Sequence, residues 1–131
     1  MPNLLLATDA DWLFNDIAAA FGGTHDIHRV REGSHVTDAI AHVEPELLVL
    51  DLQIGNMGGV ATSILVKQEI EAGRLPDTPI LLLLDREADV FLAEQSTADT
   101  WLVKPINSLA LKRAASELLP APAPDTAQVD L

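Results

Sequence analysis

Three residues that could act together each close a short apolar run: Asp9 after Leu4–Ala7 and Thr8, Asp51 after Leu47–Leu50, and Lys104 after Trp101–Val103. Two carboxylates brought together repel each other unless a cation intervenes. An all-oxygen donor set favours a hard ion such as Mg²⁺ that keeps several of its waters. A lysine alongside can meet a phosphoryl oxygen as a point charge. A carboxylate nucleophile is ionised at neutral pH and needs no activating base; it needs charge neutralisation and alignment. The set is chemically complete for phosphoryl transfer to a carboxylate. Taken singly, each aspartate also has a purely structural reading, as a turn or helix cap after a buried strand, and Asp11 is read as the N-cap of the first helix.

For these residues to meet, the elements that carry them must bring their ends to one edge. The runs Leu4–Ala7, Leu47–Leu50, Ile80–Leu84 and Trp101–Val103 are short, apolar and bounded by polar or turn residues, as strands buried on both faces are. Ile27–Val30, broken by His28 and Arg29, reads as an edge strand. Between the strands the period becomes helical. Phe14, Ile17, Ala18 and Phe21 share one face before Gly22-Gly23. Val36, Ala39, Ile40 and Val43 follow Ser34, a candidate N-cap, and end near Pro45. Val60, Ile64 and Leu65 open a third helix that stops around Gly73 and Pro76. Ala88, Phe91 and Leu92 suggest a short fourth. Leu111, Ala114, Ala115, Leu118 and Leu119 form a full stripe ended by Pro120.

Strand and helix alternate five times, the pattern of a parallel α/β sheet with helices on both faces. In such sheets the ligand crevice opens at the carboxyl ends of the strands, at the switch point of the strand order. Asp9, Asp51 and Lys104, 42 and 53 positions apart, fall there. Residues 1–119 are expected to fold as one domain, and 120–131, proline- and alanine-rich and acidic, to form a disordered tail.

The chain has 131 residues, 48% of them hydrophobic and 21% charged, an ordinary balance for one globular core. It has no cysteine, which removes disulfides, zinc–thiolate sites and thiol nucleophiles and fits a reducing cytoplasm. No signal peptide or membrane span is read at the N-terminus. Eight basic against twenty acidic residues give a formal charge of −12, which opposes direct binding to nucleic acid or anionic membranes. His28, His35 and His42 recur every seven residues, too far apart on a helix for one ion, and are read as surface residues. Gly58-Gly59 lacks the following lysine of a phosphate loop.

Leu47-Leu48-Val49-Leu50-Asp51-Leu52-Gln53, with Met57 and Gly59 downstream, resembles the acceptor-aspartate segment of response-regulator receiver domains. Trp101-Leu102-Val103-Lys104-Pro105 resembles their lysine–proline segment. The likeness covers residues 3–119. It implies the flavodoxin-like (βα)5 fold and a role in bacterial two-component signalling. Asp51 would take a phosphoryl group from a histidine kinase or phosphotransfer protein, and the domain would catalyse only its own phosphorylation and dephosphorylation. Asp9, Asp51 and the backbone carbonyl of Gln53 would bind Mg²⁺; Lys104 would contact the phosphoryl group, and the bond before Pro105 would be cis. Homodimerisation would use the face of the fourth helix, fifth strand and fifth helix.

The same resemblance marks departures. Receivers carry two adjacent acids after the first strand, where this chain has Thr8-Asp9; Thr8 would reach the metal through water, weakening Mg²⁺ binding. Leu84 stands where the family has a Thr or Ser whose hydroxyl bonds the phosphoryl group and draws an aromatic residue inward. Trp101 holds that aromatic position, and a Trp there also reads as plain packing. Asp85 follows in place of a small residue, either repelling a phosphoryl dianion or pairing with Lys104. Gly55 replaces a common proline, and the stretch from Leu84 to Lys104 is about two residues short, which suggests a truncated or skewed fourth helix.

Three functions are compatible with these residues. The first is a stand-alone phospho-accepting receiver that signals through protein contacts. The second is a pseudo-receiver that binds partners regardless of phosphate, favoured by Thr8 and Leu84. The third is a phosphatase resembling the haloacid-dehalogenase group, with Asp9 as nucleophile and Asp11 as acid; Trp12 and Leu13 depart from that motif.

Overall fold

In the computed structural model, which describes residues 1–119, strand and helix alternate five times. The expected tail at 120–131, with Pro120 as helix stop, lies outside the described residues. In chain order the elements are β1 (Asn3–Ala7), α1 (Asp11–Phe21), β2 (Asp26–Val30), α2 (Val36–Val43), β3 (Leu47–Asp51), α3 (Gly59–Glu71), β4 (Ile80–Leu84), α4 (Val90–Gln95), β5 (Thr100–Val103) and α5 (Ser108–Leu118). The strands form one parallel sheet in the order β2-β1-β3-β4-β5. The direction of winding reverses between β1 and β3, so the loops after these two strands diverge and leave a crevice.

Alternation along each strand sends side chains to opposite faces. Leu4, Leu6, Leu47, Val49, Leu81 and Leu83 pack against α1 and α5 through Leu13, Ile17, Leu111 and Ala115. Leu5, Leu48, Leu50, Ile80, Leu82 and Leu84 pack on the other side with Val36, Ile40, Val66 and Ala93 of α2, α3 and α4. Each fully buried leucine contributes roughly 1.5–3 kcal/mol, which is why strands wet on neither face carry so many of them.

The expected elements form, with four local differences. β5 is the second edge of the sheet and its residues are only half buried, so Trp101–Val103 is not a central strand. Ser34 does not cap α2. It lies in a 3₁₀ turn, Gly33–His35, that delays the helix to Val36, and its amide bonds Asn56 O at 2.8 Å. Asp11 does not cap α1 either. Ala10 holds the cap position, while the Asp11 carboxylate is drawn sideways to Arg29 at 2.8 Å and Arg31 at 3.3 Å.

The fourth difference concerns α4, six residues long and entered through a 3₁₀ turn at Glu87–Asp89. The tighter turn changes the helical phase. Ala93 and Val90 therefore face the core, whereas Phe91 is 66% exposed and Leu92 is also exposed, against the face expected from Ala88, Phe91 and Leu92. Asp89, buried, anchors the turn by accepting the Arg86 amide at 3.0 Å.

Two glycines set the distances around the end of β3. A Cβ on Gly59 would lie 2.7 Å from Leu52 Cα and 2.8 Å from Asp51 O, so α3 can begin this close to the end of β3 only because position 59 has no side chain. Gly33 would likewise collide with the Met57 carbonyl oxygen if it carried a Cβ. Its amide bonds Gly55 O at 3.0 Å, which joins the entrance of α2 to the loop after Asp51. In that loop Asn56 and Met57 adopt left-handed backbone, with φ of 50° and 85°.

Candidate functional site

Parallel register brings the strand ends level. Ala7 pairs with Leu50, Asp51 with Leu83, and Leu84 with Val103, so Thr8, Asp51, Leu84 and Lys104 finish neighbouring strands at nearly one height. Asp51 is 2% exposed, and a carboxylate so buried has to be paired and hydrogen-bonded. Its Oδ1 accepts from Lys104 Nζ at 2.7 Å and from the Gln53 amide at 3.2 Å. Its Oδ2 accepts from Thr8 Oγ1 at 2.7 Å.

Thr8 is engaged directly with Asp51. It is buried, its hydroxyl hydrogen goes to Asp51, and its oxygen takes the Ala10 amide at 3.1 Å. Asp9, the next residue, is exposed; a Cβ on Gly55 would sit 3.5 Å from its Oδ2. Asp9 thus borders the Asp51 loop without entering the hydrogen-bond cluster of Asp51.

Lys104 lies between two carboxylates, with Asp51 Oδ1 and Asp85 Oδ1 each 2.7 Å from Nζ. Burial works against its charge, but the bonds to Asp51 and Asp85 outweigh it, and the ammonium pKa is raised above the ordinary lysine value. Burial pushes the Asp85 carboxyl up, and Lys104, Gln53 and Arg86 together more than offset this, leaving it below the ordinary value. Of the two outcomes open for Asp85, pairing with Lys104 is the one observed. The Lys104–Pro105 peptide is cis.

Leu84 is fully buried among the residues facing α2, α3 and α4, and Trp101 packs against the same group from β5. No hydroxyl from β4 therefore reaches Asp51. Of the spaced histidines, His28 lies on β2 beside Asn3 Oδ1 at 3.0 Å, and His42 on α2 bonds its own helix at Asp38 O. Among the described residues no cluster of three or more His, Cys, Asp or Glu side chains could hold a metal.

Two participants escaped the reading of the sequence. Trp12, on the first turn of α1 and 51% exposed, stands with its ring centroid 5.7 Å from Lys104 Nζ and forms one wall of the site. Arg29 donates Nε to Thr8 O at 3.0 Å and lies over the Phe14 ring at 5.2 Å, bracing the end of β1. An arginine near the end of a half-polar edge strand was the available signal for the second.

Solved structures carry the same arrangement of strands and helices. The signal receiver domain of a signal transduction histidine kinase from Syntrophus aciditrophicus superposes with a TM-score of 0.80 at 20% identity, covering 91% of this chain and 90% of that one. The chemotaxis protein CheY4 of Vibrio cholerae gives 0.76 at 18% identity, over 91% and 99%. This is the fold of response-regulator receiver domains. The resemblance seen in the acceptor and lysine–proline segments thus coincides with a receiver architecture over nearly all of the described chain. Among curated proteins, the sensory transduction protein BceR of Bacillus subtilis is 28% identical over 110 residues. That match takes in 82% of this chain and 45% of BceR, so the chain spans about half the length of the relative. No family model matches. No described helix is long and apolar enough to cross a membrane.

Proposed function

We propose that the chain is a signalling receiver that accepts a phosphoryl group on Asp51 from a histidine kinase or phosphotransfer protein and acts through protein contacts. The observation that carries this reading is the Asp51–Lys104 ion pair, 2.7 Å long, at the switch point of the sheet. An Asp51 carboxylate oxygen attacks phosphorus, forming the new O–P bond. The P–N bond to the donor imidazole breaks, and its electron pair returns to the ring. Lys104, kept charged by its carboxylates, neutralises a phosphoryl oxygen.

The donor set fits Mg²⁺: Asp9 is exposed beside the Asp51 loop, all candidate ligand atoms are oxygen, and the Gln53 carbonyl belongs to the same loop. Asp9, Asp51 and that carbonyl would hold the ion, which when bound supplies charge neutralisation and alignment. With Thr8 neutral and turned toward Asp51, the site offers one carboxylate fewer than receivers usually do. Should the domain pair with itself, exposed Phe91 of α4 lies on an element expected in that interface.

Leu84 favours a second reading, a pseudo-receiver that binds partners without responding to phosphate. The phosphatase reading is disfavoured by Asp11. Its carboxylate is bonded to Arg29 at 2.8 Å and Arg31 at 3.3 Å, which lower its pKa and favour the ionised form over the protonated one a general acid needs. Incubation with acetyl phosphate and Mg²⁺, followed by mass spectrometry, tests all three. Acyl phosphate on Asp51, lost in Asp51→Asn, supports the receiver. Absence of label while a control receiver is modified supports the pseudo-receiver, and label on Asp9 with rapid turnover supports the phosphatase.

A further inference from the structure

Resting on the acceptor role proposed for Asp51, a further role follows for its neighbour across Lys104. We infer that Asp85 is an internal occupant of the phosphoryl position: its carboxylate holds the Lys104 ammonium where an incoming phosphoryl oxygen must bind, and so sets the rate of transfer to Asp51. Lys104 Nζ has three donors. Asp51 and Asp85 take two at equal distance, 2.7 Å each, and the Trp12 ring lies 5.7 Å away. A phosphoryl group bonded to Asp51 would lie next to the same ammonium, within a few ångströms of Asp85 Oδ1, and both groups are anionic.

Lys104 is the cation that both groups would share. Arg86, adjacent to Asp85, turns its Nη2 to Asp89 at 3.2 Å and is largely exposed. Burial raises the Asp85 pKa, but Lys104, with Gln53 and Arg86, holds it below the ordinary carboxylate value, which favours the ionised form. Transfer speeds up when the Asp85 carboxylate leaves Lys104; its side chain is 29% exposed, with Oδ2 buried. Asp85 is a positioning residue. It acts on the reaction through Lys104 and by charge.

The test measures the rate of acyl phosphate formation on the whole chain with acetyl phosphate and Mg²⁺, comparing wild type with Asp85→Asn, Asp85→Ala and Asp85→Glu. Asn keeps the shape without the charge, so labelling should accelerate on the order of tenfold in Asp85→Asn and Asp85→Ala, while Asp85→Glu stays near the wild-type rate. A structural role would not follow charge in this way. Equal rates in all four proteins, with label on Asp51, overturn the role of Asp85 and leave Asp51 as acceptor. Failure of all four to label overturns both. Label in the neutral variants alone is the strongest form of the expected result.

Discussion

Thr8 donates its hydroxyl hydrogen to Asp51 Oδ2 across 2.7 Å, and both residues are buried at the junction of β1 and β3. The position at which receivers usually place a second acid is here a neutral donor to the buried Asp51 carboxylate.

Removing that donor leaves a buried carboxylate oxygen without its partner. Thr8→Ala should destabilise the fold by about 1–3 kcal/mol, and Thr8→Ser, which keeps the hydroxyl, by less. Urea denaturation at neutral pH measures both. Thr8→Asp should instead tighten Mg²⁺ binding, read by titrating the fluorescence of Trp12, and should lose stability without the ion through repulsion against Asp51.

Lys104 compensates a carboxylate that is almost wholly buried. Lys104→Met should cost roughly 3 kcal/mol at neutral pH, because it strands the Asp51 charge. Asp51→Asn, which removes that charge and leaves Lys104 paired with Asp85, should cost less. Denaturant midpoints of the two variants order them directly; a milder effect for Lys104→Met would count against the ion pair.

The pKa of Lys104 is raised in the folded chain. Its contribution is therefore complete below the unfolded lysine value, roughly 10.4, and is lost as pH rises through the higher folded value. Asp85 has the opposite sign: its folded pKa is lowered, so its contribution is present above the unfolded carboxylate value and fades as pH falls through the folded one. Urea midpoints across alkaline pH should fall more steeply in wild type than in Lys104→Met.

With leucine at position 84, phosphoryl binding at Asp51 is expected to leave Trp101 in place. In a Trp12→Phe background, beryllofluoride with Mg²⁺ should leave Trp101 emission unchanged, and Leu84→Thr should make it responsive. Burying a hydroxyl in place of an isobutyl group should cost about 2–4 kcal/mol, so thermal melts accompany the fluorescence.

Gly59 offers a purely steric check. Gly59→Ala sets a Cβ 2.7 Å from Leu52 Cα, a backbone atom that cannot turn aside. The expected loss is about 2–3 kcal/mol, with slower labelling of Asp51 because the strand end itself must shift.

Much of the architecture could be read from residue order because β1, β3 and β4 are nearly continuous runs of leucine and valine, and only a sheet covered on both faces accommodates them. β5 could not be placed at the edge, since Trp101-Leu102-Val103 is equally apolar whether central or lateral. The facing of Phe91 was hidden by the 3₁₀ turn before it, a shift of phase that helical periodicity does not reveal. The pairing of Asp51 with Lys104 was legible because each stands at the end of an apolar run, whereas Asp9 lies two residues past β1 and outside their hydrogen-bond cluster. The use of Thr8 was not legible, because a hydroxyl this short finds its acceptor through the register of two strands distant in sequence. Asp85 carried two opposite readings until the side of Lys104 it occupies was known.

The joint between the Gly33–His35 turn and the loop after Asp51 consists of main-chain atoms, Gly33 N to Gly55 O at 3.0 Å and Ser34 N to Asn56 O at 2.8 Å. Side chains at positions 55 and 56 contribute no atom to this joint, though the left-handed Asn56 and the close approach at Gly33 limit what can stand there. The amide protons of Gly33 and Ser34 consequently serve as built-in reporters on the acceptor loop. Their exchange with solvent registers any opening of residues 55 and 56 from the far side of the joint, without a probe being attached to the site itself.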